Sequence, residues 1–425
     1  MSHIPYDAYR AAGTPAREIT LSVSAPLVRA LLSLAMVTLL FANLNGYIVV
    51  AQVVAFAFVA IAAITCLVQG RFRSSGFSFF EFGMAVCAAL SLIVSVGYGE
   101  DYAGWYTVMF SFVVFSAGII VRSIPQKDLL NAAVHAYLFM VILVFAFHMR
   151  PLATALNMHA ADRWLLRISP FGMHPNLTGF VFGAGVIILA YGAMSRSGLA
   201  RAVYGLTCLG SLAIVLAASA RASLLAVAAS ALLIYAFNFL KMPKSVRIVS
   251  ATFGVIAVAL IVIYPPVIQY LTTVLELDSN TRGVNSGGSG RTDIWQQGIE
   301  YIISSPATMF FGGGLRSASA ERIGFYTESS YINIFIESGF FCGSLLICLF
   351  LGSAFLFQSN QTRFDITKLT LSWIITFALV QSIFNRYLLG IGNSFSLMLI
   401  FLYASAWCSL AEARAQYKSR RRSVS

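Results

Sequence analysis

Apolar stretches of about twenty residues recur along the chain, each cut off by a few polar or charged positions. They fall near 26–44, 47–68, 77–97, 103–121, 130–149, 176–194, 202–219, 222–240, 247–265, 338–357, 366–384 and 390–410. A helix needs roughly 20 apolar residues to cross about 30 Å of hydrocarbon. The pattern therefore predicts an all-α, polytopic membrane helix bundle of about twelve transmembrane helices. Segment 202–240 has little polar sequence to divide it. As one straight helix it would run about 58 Å, nearly twice the hydrocarbon thickness. It must turn, and Ser219-Ala220-Arg221-Ala222-Ser223 is the polar place to do so, which puts Arg221 at a membrane surface.

Most connections between the apolar stretches are short. The pattern divides the chain into a cytoplasmic N-terminal tail (1–25), nine spans (26–265), one large extracytoplasmic loop between spans 9 and 10 (266–327), three further spans (328–410) and a basic cytoplasmic tail (411–425). A second long connection, 150–175, carries Arg150, Arg163, Trp164, Arg167 and His174. Long loops in compact proteins are commonly functional.

Composition agrees with lipid as the main solvent: 59% of residues are hydrophobic and 10% charged, against about a quarter charged in soluble domains. Lys and Arg set the orientation. With both termini cytoplasmic, the inner loops and tails take most of the basic residues. The outer side keeps Arg150, Arg163, Arg167, Arg221, Arg282, Arg291, Arg316, Arg322 and Arg386, with no Lys. Arg offers a planar fork of donors suited to phosphate and carboxylate, although Arg also simply outnumbers Lys in this chain. The net charge of +12 is the positive-inside bias, so it gives no reason to expect nucleic acid. The six Cys fall in predicted spans and suggest neither a disulfide framework nor a metal site.

Within the long loop, Asn280 to Gly290 is polar and rich in Gly and Ser. Beyond it, Trp295, Ile299, Ile302 and Ile303 recur at helical spacing, an amphipathic helix that Pro306 follows closely. Arg291 stands at its N-terminus, one turn before Trp295. Helical N–H groups and a guanidinium would make an anion site there; an interfacial helix with a snorkelling Arg explains the same pattern. Gly312-Gly313-Gly314 permits a sharp turn and close backbone approach. Glu328, Tyr331, Ile332 and Phe335 then share a helical face, with the acid suited to a helix start. Glu337 falls on the opposite face and reads as unrelated. His174 and Asn176 open a span, where Pro175 and Asn176 also serve as caps. Arg386, between the last two spans, suits a sugar, a phosphate or a snorkelling anchor.

The order of these pieces resembles the O-antigen ligase and Wzy-type polysaccharide polymerase superfamily. The matching pieces are His174-Pro175-Asn176, Ser219-Ala220-Arg221, Ser289-Gly290-Arg291 with Trp295, Gly312 to Gly314, and Glu328-Ser329-Ser330-Tyr331-Ile332 with Glu337-Ser338-Gly339 behind. The resemblance covers roughly residues 150–345. It implies a GT-C-like bundle in the bacterial inner membrane that takes an undecaprenyl-pyrophosphate-linked glycan as donor at the outer leaflet. It implies no cofactor and no metal, with a flippase and a chain-length regulator of the same pathway as partners. Arg221 and Arg291 stand where such proteins hold the pyrophosphate, and guanidiniums suit a leaving group on which negative charge develops. Ligases of the family place His-Asn where this chain has Glu328-Ser329. The change favours polymerase over ligase, with Glu328 as a general base or a helix cap. The expected catalytic residues are thus Arg221, Arg291 and Glu328, and the expected substrate-binding residues His174, Asn176, Trp295, Tyr331 and Arg386. A ligase acting on lipid A-core, or a flippase or transporter of lipid-linked glycan, are the alternatives.

Overall fold

The computed structural model describes residues 24–44, 47–70, 78–99, 101–156, 167–239, 291–316, 327–359 and 365–424, with a few isolated positions between 244 and 252. Helices make up the fold, and no strand occurs among the described residues. In chain order they are α1 (Ser24–Thr38, prolonged by a 3-10 turn Leu39–Asn43), α2 (Ile48–Gln69), α3 (Phe79–Gly97), α4 (Asp101–Ser123), α5 (Gln126–Leu156), α6 (Pro175–Met194), α7 (Gly198–Ala217), α8 (Arg221–Asn238), α9 (Arg291–Ile303), α10 (Pro306–Phe311), α11 (Ser330–Ser359), α12 (Ile366–Gln381) and α13 (Ser394–Val424).

Ten of these helices are long and apolar enough to cross a membrane, and α12 is a shorter apolar helix. They coincide with eleven of the twelve spans expected; the remaining one, 247–265, lies outside the described residues, as do the N-terminal tail to residue 23 and the loop from 266 to 290. Helix α6 and the apolar part of α13 are buried on most sides, whereas α2, α7 and α8 expose large apolar side chains such as Val68, Leu206 and Leu232. That outward apolar surface is what lipid requires.

The helices are joined by small polar groups, as in membrane bundles generally. Ser91 of α3 meets Thr107 of α4 at 3.2 Å, and the Trp373 indole of α12 donates to Ser230 of α8 at 2.9 Å. Glu81, in the first turn of α3, ends a capping box with Ser78 and forms a buried ion pair with Arg122. Gly118 leaves the room this carboxylate occupies.

Two helices differ from the expected spans. Helix α5 continues past residue 149 to Leu156, so the connection expected at 150–175 begins in helix; the run is interrupted at His148 (φ −127°) and contains Pro151, which removes an N–H from the ladder. Helix α11 starts at Ser330, eight residues before the expected span, and breaks at Gly339 (φ 64°, ψ −175°). The glycine turn after α10 explains the break. Gly313 and Gly314 donate to the carbonyls of Ile336 and Glu337 at 2.9 and 2.8 Å, carbonyls that an unbroken helix would use for residues 340 and 341. Gly312 and Gly339 pack backbone on backbone, where a Cβ on either would clash.

Candidate functional site

Four pieces of chain meet at one end of the bundle: the start of α6, the start of α11, the connection from Ser382 to Asn393, and the N-terminus of α9. His174 is the N-cap of α6 and accepts from Asn176 N–H through Nδ1 at 3.2 Å, with Pro175 at the first helical position. One turn in, Phe180 sets its ring 5.8 Å from Tyr387 and 4.7 Å from Phe395, which holds the α12–α13 connection against α6. Ser330 fastens that connection to α11. Its N–H donates to Ser382 O at 2.8 Å, its Oγ donates to Asn385 O at 2.6 Å, and the same Oγ accepts from Leu388 N–H at 3.2 Å.

Helix α9 docks through Gly298, where an added Cβ would strike Thr327 and Ile332. Arg291, Trp295 and Gly298 follow one another at i, i+4 and i+7. The contact at Gly298 therefore turns Arg291 toward the segment before α11, and Arg291 Nε lies 2.8 Å from Glu328 Oε2, with the two side chains 23% and 38% exposed. The guanidinium also sits 5.9 Å from the Phe384 ring. Ile299 and Ile303 face outward and are exposed, so the apolar stripe expected on this helix divides between the protein and the surroundings.

The start of α6, the segment before α11 and the α12–α13 connection line a cavity of about 260 Å³ with His174, Asn176, Glu328, Asn385, Arg386 and Tyr387. Four of the six were expected from sequence. Burial pushes the His174 imidazole below its usual range; the Glu328 carboxylate opposes this, while Arg167 and Arg386 reinforce it. Burial raises the Tyr387 phenol, against the lowering pull of Arg386, which is also its hydrogen-bond partner, and of Arg316. Among the described residues no group of three His, Cys, Asp or Glu is placed to hold a metal ion.

Arg221 begins α8 at the same end of the bundle, after a turn in which Ser219 adopts φ 52°. Arg167 Nη2 holds that turn through Ser219 O at 3.2 Å. Gly179 of α6 leaves room for Ala220 and Ser223, which sets the start of α8 about one turn along α6 from Asn176. Arg221 is not among the residues lining the cavity. Trp295 is half-buried, with its indole N–H closed off and without an acceptor. The Tyr331 hydroxyl donates to Leu379 O at 2.7 Å, a tie between α11 and α12. Glu328 precedes α11 by two residues and pairs with Arg291, so it is not part of the helix's first turn.

Glu337 is not unrelated to this region. It is 7% exposed, its carboxylate accepts from the Arg316 backbone N–H, and the charges of Arg316 and Arg386 act on it. The Arg316 guanidinium lies 5.5 Å from the Tyr106 ring. Tyr106 in turn donates to Leu389 O at 3.0 Å and accepts from Ile391 N–H at 3.1 Å. This network forms a floor under the connection that carries Asn385 to Tyr387. Helical spacing alone misplaced Glu337, because the break at Gly339 and the docked glycine turn bring Arg316 to it. Asn385 and Tyr387 flank Arg386 in a short polar interruption between two apolar stretches, the one signal that could have found them.

No curated protein matches the chain. Residues 205–348 match the family model described as O-antigen ligase, a stretch that holds Arg221, Arg291, the glycine turn, Glu328 and Glu337. About a third of the chain, in a bundle that is all helix among the described residues, is thus similar to the O-antigen ligase family.

Proposed function

We propose that this chain is a membrane glycosyltransferase that polymerises undecaprenyl-pyrophosphate-linked oligosaccharide repeat units into surface polysaccharide at the outer leaflet of the inner membrane. The observation that carries the reading is the pairing of Arg291 with Glu328, which lines a cavity together with His174, Asn176 and Arg386. A carboxylate beside a cavity is placed to take the proton of an acceptor hydroxyl. That oxygen attacks the anomeric carbon of the donor sugar as the bond to pyrophosphate breaks. Arg291 and Arg221 then face the oxygen on which negative charge grows, where a fixed guanidinium stabilises the transition state more than the ground state. Displacement without a covalent intermediate inverts the anomeric centre.

In the resting arrangement Arg291 is held by Glu328. A pyrophosphate entering the site competes for the same guanidinium, and bidentate phosphate binding is a geometry to which Arg is well suited. Donor binding thereby releases the carboxylate toward the acceptor.

A ligase that moves the finished glycan to lipid A-core is the second reading, favoured by the description of the matching family. A deletion strain examined by glycan ladder separates the two. Loss of a polymerase leaves a single repeat on the final acceptor, and loss of a ligase leaves long chains on the carrier lipid. A flippase would leave bare acceptor and units trapped in the inner leaflet. The single-repeat pattern is expected here.

A further inference from the structure

Asn385 is 2% exposed and forms part of the cavity wall. Its carbonyl accepts from Ser330 Oγ at 2.6 Å and its Oδ1 from Tyr387 N–H at 3.2 Å. A backbone N–H only donates, so the amide oxygen must face Tyr387, and this decides which end of the side chain is the amine. Nδ2, with two hydrogens to give, is closed off from solvent and meets no acceptor. A buried donor left unmade costs free energy, which an acceptor bound in the cavity would recover. Three backbone donors of the connection are matched: Tyr387 N–H on Asn385, Leu388 N–H on Ser330 and Ile391 N–H on Tyr106.

The surroundings indicate the kind of acceptor that is missing. Asn176, Tyr387 and His174 make much of the wall neutral and polar, as suits a sugar's hydroxyl groups, with Glu328 and Arg386 as its charged members. The volume, about 260 Å³, lies below the ~300–1,000 Å³ of sites for drug-sized ligands, so one ring fits and a chain does not. We propose that Asn385 is a specificity-determining residue, its Nδ2 donating to a hydroxyl or acetamido oxygen of the acceptor sugar beside the hydroxyl that Glu328 deprotonates. The proposal rests on the glycosyltransferase reading above. A site built around such a donor discriminates strongly against a sugar lacking that oxygen.

The test uses the full chain in membranes of its deletion strain, with lipid-linked glycan extracted from that strain as substrate. Extension rates are measured against substrate concentration for wild type, Asn385→Asp and Asn385→Ala. Asn385→Asp retains the oxygen that Tyr387 N–H needs and exchanges the donor for a charged acceptor, and Asn385→Ala removes the donor without adding charge. Both variants are expected to raise KM by about 10- to 100-fold with kcat within a few-fold of wild type. Thermal melting of the purified chain with the same extract gives a second measurement, in which the extract raises the wild-type Tm and leaves that of Asn385→Asp unmoved. An unchanged KM in both variants, or an equal rise in Tm for Asn385→Asp, overturns the proposal. Arg291→Ala and Glu328→Gln serve as controls for the underlying reading. If they abolish extension while Asn385→Asp matches wild type, only the Asn385 role fails; if they extend normally, the glycosyltransferase reading fails with it.

Discussion

Single residues at the cavity divide the work between charge and hydrogen bonding. Arg291 and Glu328 are partly exposed and mutually paired, so removing either leaves the other near water, and the chief loss falls on chemistry. Arg291→Ala is expected to lower glycan extension by about 100-fold or more, in line with the loss of one oxyanion donor elsewhere. Glu328→Gln is expected to do the same with the protein still in the membrane; full turnover by Glu328→Gln would remove it as base. His174 gives a pH dependence. Its cap needs a neutral ring, since Nδ1 accepts the Asn176 N–H, and its folded pKa lies below the ordinary 6.5 because of burial first. The folded protein therefore binds fewer protons there than the unfolded chain, and stability is full above 6.5 and declines as the pH falls below it. His174→Asn keeps a good cap without titrating, so the acid loss of Tm attributable to this residue is expected to vanish in that variant.

Among the elements, the broken helix α11 and its glycine turn depend on each other. Gly339 holds a φ of 64° with ψ −175° against the carbonyl of Phe310, a region of backbone space open to glycine and costly for other residues by about 1–3 kcal/mol before any clash. Gly339→Ala is expected to lower stability by at least that amount, read as a fall in Tm of the purified chain, and to release the turn that carries Arg316. The helices themselves were legible in the sequence because a span has one requirement, apolarity over a fixed length, and residues 77–97 or 176–194 state it plainly. The break at Gly339 was not, because it depends on the glycine turn Gly312–Gly314 far upstream in sequence. Of the site, Arg291, Glu328, His174, Asn176 and Arg386 could be found from residue type and position. Asn385 had only its place beside Arg386 in a polar interruption to mark it, and the Tyr106–Arg316–Glu337 network had no signal, since only tertiary packing brings α4, the glycine turn and the α12–α13 connection together.

For the molecule as a whole, the distribution of Lys and Arg predicts both termini in the cytoplasm. A fluorescent protein fused after residue 425 is expected to glow and an alkaline phosphatase at the same place to be inactive; the reverse would place the cavity on the inner face and remove the outer-leaflet reading. The glycine turn has a mechanical consequence. Gly313 and Gly314 are tied by two hydrogen bonds to a helix embedded in the bundle, and pulling them away would leave two buried carbonyls without these donors. The segment bearing Arg291 is thus moored at its downstream end, like a gangway fixed to the hull. If α9 moves to admit a substrate, it must swing about residue 312, so displacement grows toward Arg291 and is least at the mooring.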